Sequence, residues 1–149
     1  MALFFAQELI YISLILFGLF FLFEPKLRQK RTAFVLIFSS IISFISVTIL
    51  HYLYNNPRPY LVLHIQPAVS GLSANGFPSD HAIITALIAS ITFIFNKKFG
   101  ILLWIFAILI SFSRVFLELH HVVDVITSFI VAIVSVMISD YLVLKYKLK

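Results

Sequence analysis

The chain alternates long apolar runs with short polar breaks. Five runs stand out, at roughly 2–23, 33–53, 79–95, 100–117 and 122–144. A helix needs about 20 apolar residues to cross a bilayer. The first two runs reach that length directly. The third and fourth have purely apolar cores of only Ala82–Phe95 and Ile101–Ser113. Each spans only if its polar end (Ser79, Asp80 and His81 in one, Arg114 in the other) lies at the membrane boundary. Charged groups are costly at that depth and usually serve a function. The pattern predicts an all-α integral membrane helical bundle of five spans, forming one domain over residues 1–149.

Composition agrees with the pattern. Hydrophobic residues make up 62% of the chain and charged ones 11%, against about a quarter charged in soluble domains. Cysteine is absent, which excludes disulfides, thiolate metal sites and a Cys nucleophile. Nine of the eleven Lys and Arg residues fall in three segments. These hold Lys26, Arg28, Lys30 and Arg31; then Lys97 and Lys98; then Lys145, Lys147 and Lys149. With five spans all three segments share one side, which the positive-inside rule makes cytoplasmic, with the N-terminus out and the C-terminus in. The net charge of +5 therefore reads as membrane topology, and no nucleic-acid partner is expected. The first run lacks a basic leader and a small-residue cleavage site, so it reads as a retained span.

The opposite, outer side collects the residues capable of chemistry. Arg58 and Arg114 lie there, with His51, His64, His81, His120 and His121, and with Asp80, Glu118 and Asp124. All but His51 and His64 fall into three groups: Asn56–Tyr60, Phe77–His81, and Ser113–Asp124. In the last, His120 and Asp124 are four residues apart and would touch if both occupied the first turn of the fifth span. A carboxylate on one imidazole nitrogen fixes the tautomer and leaves the other nitrogen nucleophilic. In the second group, Ser79 or Asp80 can cap a helix whose N-terminus favours an anion. His81, in that first turn, can protonate a leaving oxygen. Arg58 and Arg114 offer planar forks that match phosphate oxygens. Together these groups predict a phosphoryl-transfer site that works by positioning and charge.

Arg58-Pro59, Pro78-Ser79-Asp80-His81, and Ser113-Arg114 followed by His120 and Asp124 resemble the three motifs of the type 2 phosphatidic acid phosphatase superfamily. The resemblance runs from about His51 to Asp124. Phe77-Pro78-Ser79-Asp80-His81 is similar to the branch of undecaprenyl-diphosphate phosphatases of the bacitracin-resistance type. Two positions depart from the family pattern. The usual Lys seven residues before Arg58 is His51, and His121-Val122-Val123 replace a frequent Tyr-Pro. The resemblance implies that His120 attacks phosphorus to form a phosphohistidine, that Asp124 orients it, and that His81 protonates the leaving group and then helps activate water. It also implies that Arg58, Arg114, Ser79 and His51 hold the phosphate, without metal or other cofactor.

The implied activity is removal of phosphate from a lipid phosphate or diphosphate, chiefly undecaprenyl diphosphate, at the outer face of the cytoplasmic membrane. A phosphatidate or phosphatidylglycerophosphate phosphatase, or an inactive lipid-binding scaffold, are the rival readings, and the oligomeric state stays open. Many relatives have six spans, so the sequence reads as lacking an N-terminal helix. Elsewhere the expectations are structural. Phe17–Phe23 faces lipid, Asp140 faces headgroups or a partner helix, Gly71 and Gly76 are flexible turn residues, and Leu61–Phe77 lines the lipid access route.

Overall fold

The protein is described by a computed structural model over residues 1–148; Lys149, counted above with the basic tail, lies outside the described residues. Seven helices appear among the described residues: α1 (Ala2–Gln7), α2 (Leu9–Phe23), α3 (Lys26–Leu53), α4 (Pro59–Val62), α5 (Asp80–Phe95), α6 (Lys97–Phe116) and α7 (Val122–Lys145). Helix α5 sits at the centre of the bundle, packed on α2, α3, α6 and α7, while α3 also packs on α7 and α1 on α6.

The packing follows from the solvent. Lipid chains are as apolar as Leu, so burying large apolar side chains between helices gains little, and close contact between small residues matters more. Helix α5 buries Ala82, Ala86 and Ala89, and α7 buries Ser128, Ala132, Ser135 and Ser139, each at helical spacing. Interior hydroxyls turn back onto their own helices, as Ser13 does to Leu9 O at 2.9 Å, Thr92 to Ile88 O at 2.7 Å and Ser139 to Ser135 O at 2.7 Å. Ile91, Leu103 and Ile110 fill the remaining interior, and many other large apolar side chains face outward, for example Phe44, Phe112 and Met137. Helices α3, α6 and α7 are each long and apolar enough to cross a membrane, and α2 and α5 are shorter apolar helices of 15 and 16 residues. An outward-facing apolar belt on several such helices makes this a multi-pass membrane protein.

Several boundaries differ from the sequence expectation. Helix α3 begins at Lys26, so most of the basic segment expected as a linker is helical; Leu, Arg, Gln and Lys are good helix formers and carry the helix beyond its apolar part. Helix α6 likewise begins at Lys97, with the Asn96 side chain accepting from Phe99 N at 3.1 Å as its cap. Asn96 alone joins α5 to α6, and a Cβ at Gly100 would collide with the backbone of Phe93. The first run is interrupted at Glu8, where Tyr11 N bonds Glu8 O in a tightened turn. Phe17 is buried and Phe20 stacks on Phe99 with centroids 5.8 Å apart, so that stretch does not face lipid throughout. Asp140 meets a partner helix: its Oδ1 accepts from Arg31 Nη2 at 2.7 Å and Nε at 3.1 Å, fastening α7 to α3 at the end far from the histidines.

Candidate active site

The site forms where the ends of α3 and α6, the start of α5 and the start of α7 meet. Helix α6 stops at Phe116, and Glu118 takes a positive φ of 55°. That left-handed turn lets Leu119 N return to Arg114 O at 3.0 Å, a common way to end a helix. His120 follows at 3% exposure, His121 caps α7, and Asp124 is the third residue of that helix. The expectation that His120 shares the first helical turn with Asp124 is therefore corrected. The two meet across a helix cap, with His120 Nδ1 at 3.5 Å from Asp124 Oδ2.

His120 Nδ1 has a nearer partner, the carbonyl oxygen of Gly76 at 2.9 Å. A carbonyl only accepts, so Nδ1 carries the proton and Nε2 presents its lone pair. Arg58 Nη1 lies 3.1 Å from that Nε2, and Arg114 Nη2 lies 3.5 Å from it. Burial pushes the His120 pKa below its ordinary value, against the pull of Asp124, and the two guanidinium charges lower it further. Asp124 is wholly buried; its Oδ1 accepts from Asn56 Nδ2 at 2.7 Å and its Oδ2 from His121 N at 2.8 Å.

Both arginines are buried and make no ion pair among the described residues. Main-chain carbonyls hold them instead. Arg58 donates through Nε to Ser73 O and through Nη1 to Leu119 O, both at 2.7 Å. Arg114 donates through Nη1 to Ala6 O at 3.0 Å, and its Nε has no partner. Burial also depresses the Arg58 pKa, the nearby negative charges opposing it. Two guanidiniums side by side in a buried site, with no carboxylate between them, leave an unmet demand for an anion.

The loop before α5 closes the site from above. An antiparallel bridge pairs Pro57 with Asn75, and Gly76 N donates to Asn56 O at 2.9 Å. The Asn75 side chain staples this loop, accepting from Asn56 N and Phe77 N at 3.0 Å each. Gly76, expected as a flexible turn residue, is buried, and an added Cβ would lie 3.1 Å from Arg58 Cγ and 3.3 Å from Asp124 Oδ2. Space, rather than flexibility, is what glycine supplies there. Gly71, in contrast, does take a positive φ of 78°.

Ser79 occupies the cap position of α5 and is wholly buried, yet its hydroxyl makes no cap bond and has no partner. Its amide donates to Ser128 Oγ at 2.9 Å, which in turn donates to Asp124 O at 2.7 Å, tying the starts of α5 and α7 together. His81 lines a cavity with Arg114. Asp80 is exposed as the first residue of α5. His51 stands apart from the cluster, exposed, with Nδ1 at 2.9 Å from Phe77 O and no hydrogen bond to either arginine or to His120. The His121 ring places Nε2 at 3.0 Å from Pro57 O. Sequence reasoning placed Asn56 in the first group without giving it a role, and missed Asn75, Ser128 and the carbonyls of Gly76 and Ala6. Only Asn56 carried a signal, as a polar residue two positions before Arg58.

Known proteins are similar to part of this chain. Undecaprenyl-diphosphatase BcrC of Bacillus subtilis (strain 168) is 39% identical over 82 residues, covering 54% of this chain and 42% of that protein. The bacitracin transport permease protein BcrC of Bacillus licheniformis is 30% identical over 84 residues, covering 56% and 41%. The matched segments thus span less than half the length of either relative. No solved structure matches the chain. The family profile described as PAP2 superfamily matches residues 31–147, from the first turns of α3 to the end of α7. That one stretch takes in Arg58, Ser79, His81, Arg114, His120 and Asp124, and the chain belongs to the PAP2 superfamily.

Proposed function

We propose that the protein is a lipid phosphate phosphatase that converts undecaprenyl diphosphate to undecaprenyl phosphate through a phosphohistidine on His120. The observation that carries this reading is the pair of buried guanidiniums, unpaired by any carboxylate, converging on the bare Nε2 of His120. In the first step Nε2 forms a bond to phosphorus as the bond from phosphorus to the leaving oxygen breaks, and His81 gives that oxygen a proton. In the second, water attacks phosphorus, its proton passes to His81, and the bond to Nε2 breaks. The Gly76 carbonyl holds the Nδ1 proton, Asp124 beside it orients the ring and balances the charge that develops there, and Arg58, Arg114 and Ser79 hold the phosphoryl oxygens. His51 joins them only if substrate draws it inward. The printed name of the Bacillus subtilis relative supports a prenyl diphosphate as substrate.

The membrane orientation belongs to the same proposal. Helices α3 and α6 start, and α7 ends, in the basic clusters, and each has its other end at the histidines. By the positive-inside rule the site then faces outward from the cytoplasmic membrane. Exposed Leu61, Val62, Leu63 and Ile65 would border the route by which lipid reaches it.

The test is phosphate release by the detergent-purified protein, in EDTA, from a prenyl diphosphate and from phosphatidate. Release from the diphosphate is expected to predominate. Preference for phosphatidate would replace the substrate, and release from neither would leave a lipid-binding scaffold.

A pH dependence follows from the His120 surroundings. Nucleophilic His120 must be neutral, and its pKa is lowered by burial and by the arginines. Phosphoenzyme formation is therefore expected to persist as pH falls through about 6.5, the ordinary imidazole value, and to fail only below it. A rapid-quench pH profile with its acid limb above that value would contradict the geometry.

A further inference from the structure

A cavity of about 190 Å³ opens beside the reacting groups. It is lined by His81 and Arg114, by Gln7, Glu8 and Tyr11 from the joint of α1 and α2, and by Leu72 from the loop before α5. The joint is fastened to the site, because Arg114 Nη1 donates to Ala6 O at 3.0 Å. Residues 7–11 lie outside the stretch matched by the family profile, which begins at residue 31.

The placement of His81 gives the cavity a meaning. His81 is the proton donor to the leaving oxygen in the proposed reaction, so the group departing from phosphorus lies on the His81 side. The cavity occupies that side. Its lining includes one acidic residue, exposed Glu8, together with His81 and Arg114. A neutral alcohol leaving group is indifferent to that charge. An anionic leaving group, the phosphate monoester released from a diphosphate, is repelled by it.

We propose that the α1–α2 joint forms the leaving-group wall of the site and that Glu8 is a specificity-determining residue, weakening the hold on an anionic leaving group relative to a neutral one. In the cleavage of a diphosphate this repulsion disfavours retention of the lipid monophosphate product in the cavity. The inference rests on the phosphatase reading and deepens it.

Farnesyl diphosphate and farnesyl monophosphate test it, since they share one chain and differ in the group that leaves, phosphate ester in one and alcohol in the other. For Glu8→Gln, the ratio of kcat/KM for the diphosphate to that for the monophosphate is expected to rise about three- to tenfold, the size of one charge contact in a partly hydrated site. Farnesyl monophosphate is expected to become a stronger product inhibitor of diphosphate cleavage, and Glu8→Lys should carry both effects further. Exchange of ¹⁸O between inorganic phosphate and water provides the second measurement, because that half of the reaction involves no leaving group. Exchange is expected to change less than the ratio does. An unchanged ratio, or a fall in both substrates and in exchange together, overturns the role given to Glu8 while leaving the phosphatase reading standing. Absence of both exchange and hydrolysis in the unmodified protein removes the phosphatase reading and this inference with it.

Discussion

Replacing His120 with alanine is expected to abolish phosphate release and leave no phosphoenzyme to trap. The expected loss is on the order of 10⁴-fold or more, as for removal of a covalent nucleophile. The argument is local. His120 is 3% exposed, its Nδ1 proton is committed to Gly76 O, and both buried arginines point at its other nitrogen. Neither other histidine near the site is placed to substitute, because His81 lines the cavity beside Arg114 and His51 is turned to Phe77 O. The measurement is rapid-quench labelling with a ³²P-labelled lipid phosphate, looking for an acid-labile, base-stable phosphoprotein. Labelling that survives in His120→Ala would overturn the mechanism, whereas labelling lost in that variant and kept in His51→Ala would assign the nucleophile.

For Asp124→Asn the expected result is a fall in turnover of roughly 10³- to 10⁴-fold, the range seen when the carboxylate behind a catalytic imidazole becomes an amide. Asp124 accepts from Asn56 Nδ2 on one oxygen and from His121 N on the other, which also faces His120 Nδ1. All three neighbours are donors. An amide must set its NH₂ against one of them whichever way it turns. Turned toward Asn56 it opposes another amide NH₂. Turned toward α7 it opposes the His121 amide that starts the helix. The variant should therefore lose stability as well, by about 1–3 kcal/mol for a buried group left without its partner. Thermal unfolding in detergent separates the two effects. Asn56→Asp would place a second carboxylate against the first and is expected to lower stability too; a stable and active Asn56→Asp protein would show that this contact is not what holds Asp124.

The sequence disclosed the membrane character and the motif spacing because both are written in residue type. Apolar length marks a span, and Arg58, His81, Arg114, His120 and Asp124 are chemically distinctive at fixed separations. Contacts made by main chain left no such mark. Any residue could supply the carbonyls of Gly76, Ala6, Ser73 and Leu119, yet these hold His120, Arg114 and Arg58 in place. Gly76 looked like a turn residue because glycine in a loop usually is one; only the crowding by Arg58 and Asp124 reveals the need for a missing Cβ. The His120–Asp124 spacing suggested a shared helical face, and the contact exists through a cap instead. Helix starts were misplaced toward the apolar runs because hydropathy records the lipid boundary, whereas α3 and α6 continue past it on basic residues.

The single-residue joint at Asn96 bears on how the protein reaches the bilayer. Helix α5 has 16 residues and carries Asp80 and His81 at its N-terminal end, so alone it partitions poorly into lipid. Its fit against α6, where Phe93 lies over Gly100, is available only if the two helices are already side by side. They are expected to leave the insertion machinery as one antiparallel hairpin, with the longer α6 carrying α5 across. Lengthening the joint with a flexible spacer would then impair biogenesis before it touched the chemistry, and would show first as reduced yield of folded protein.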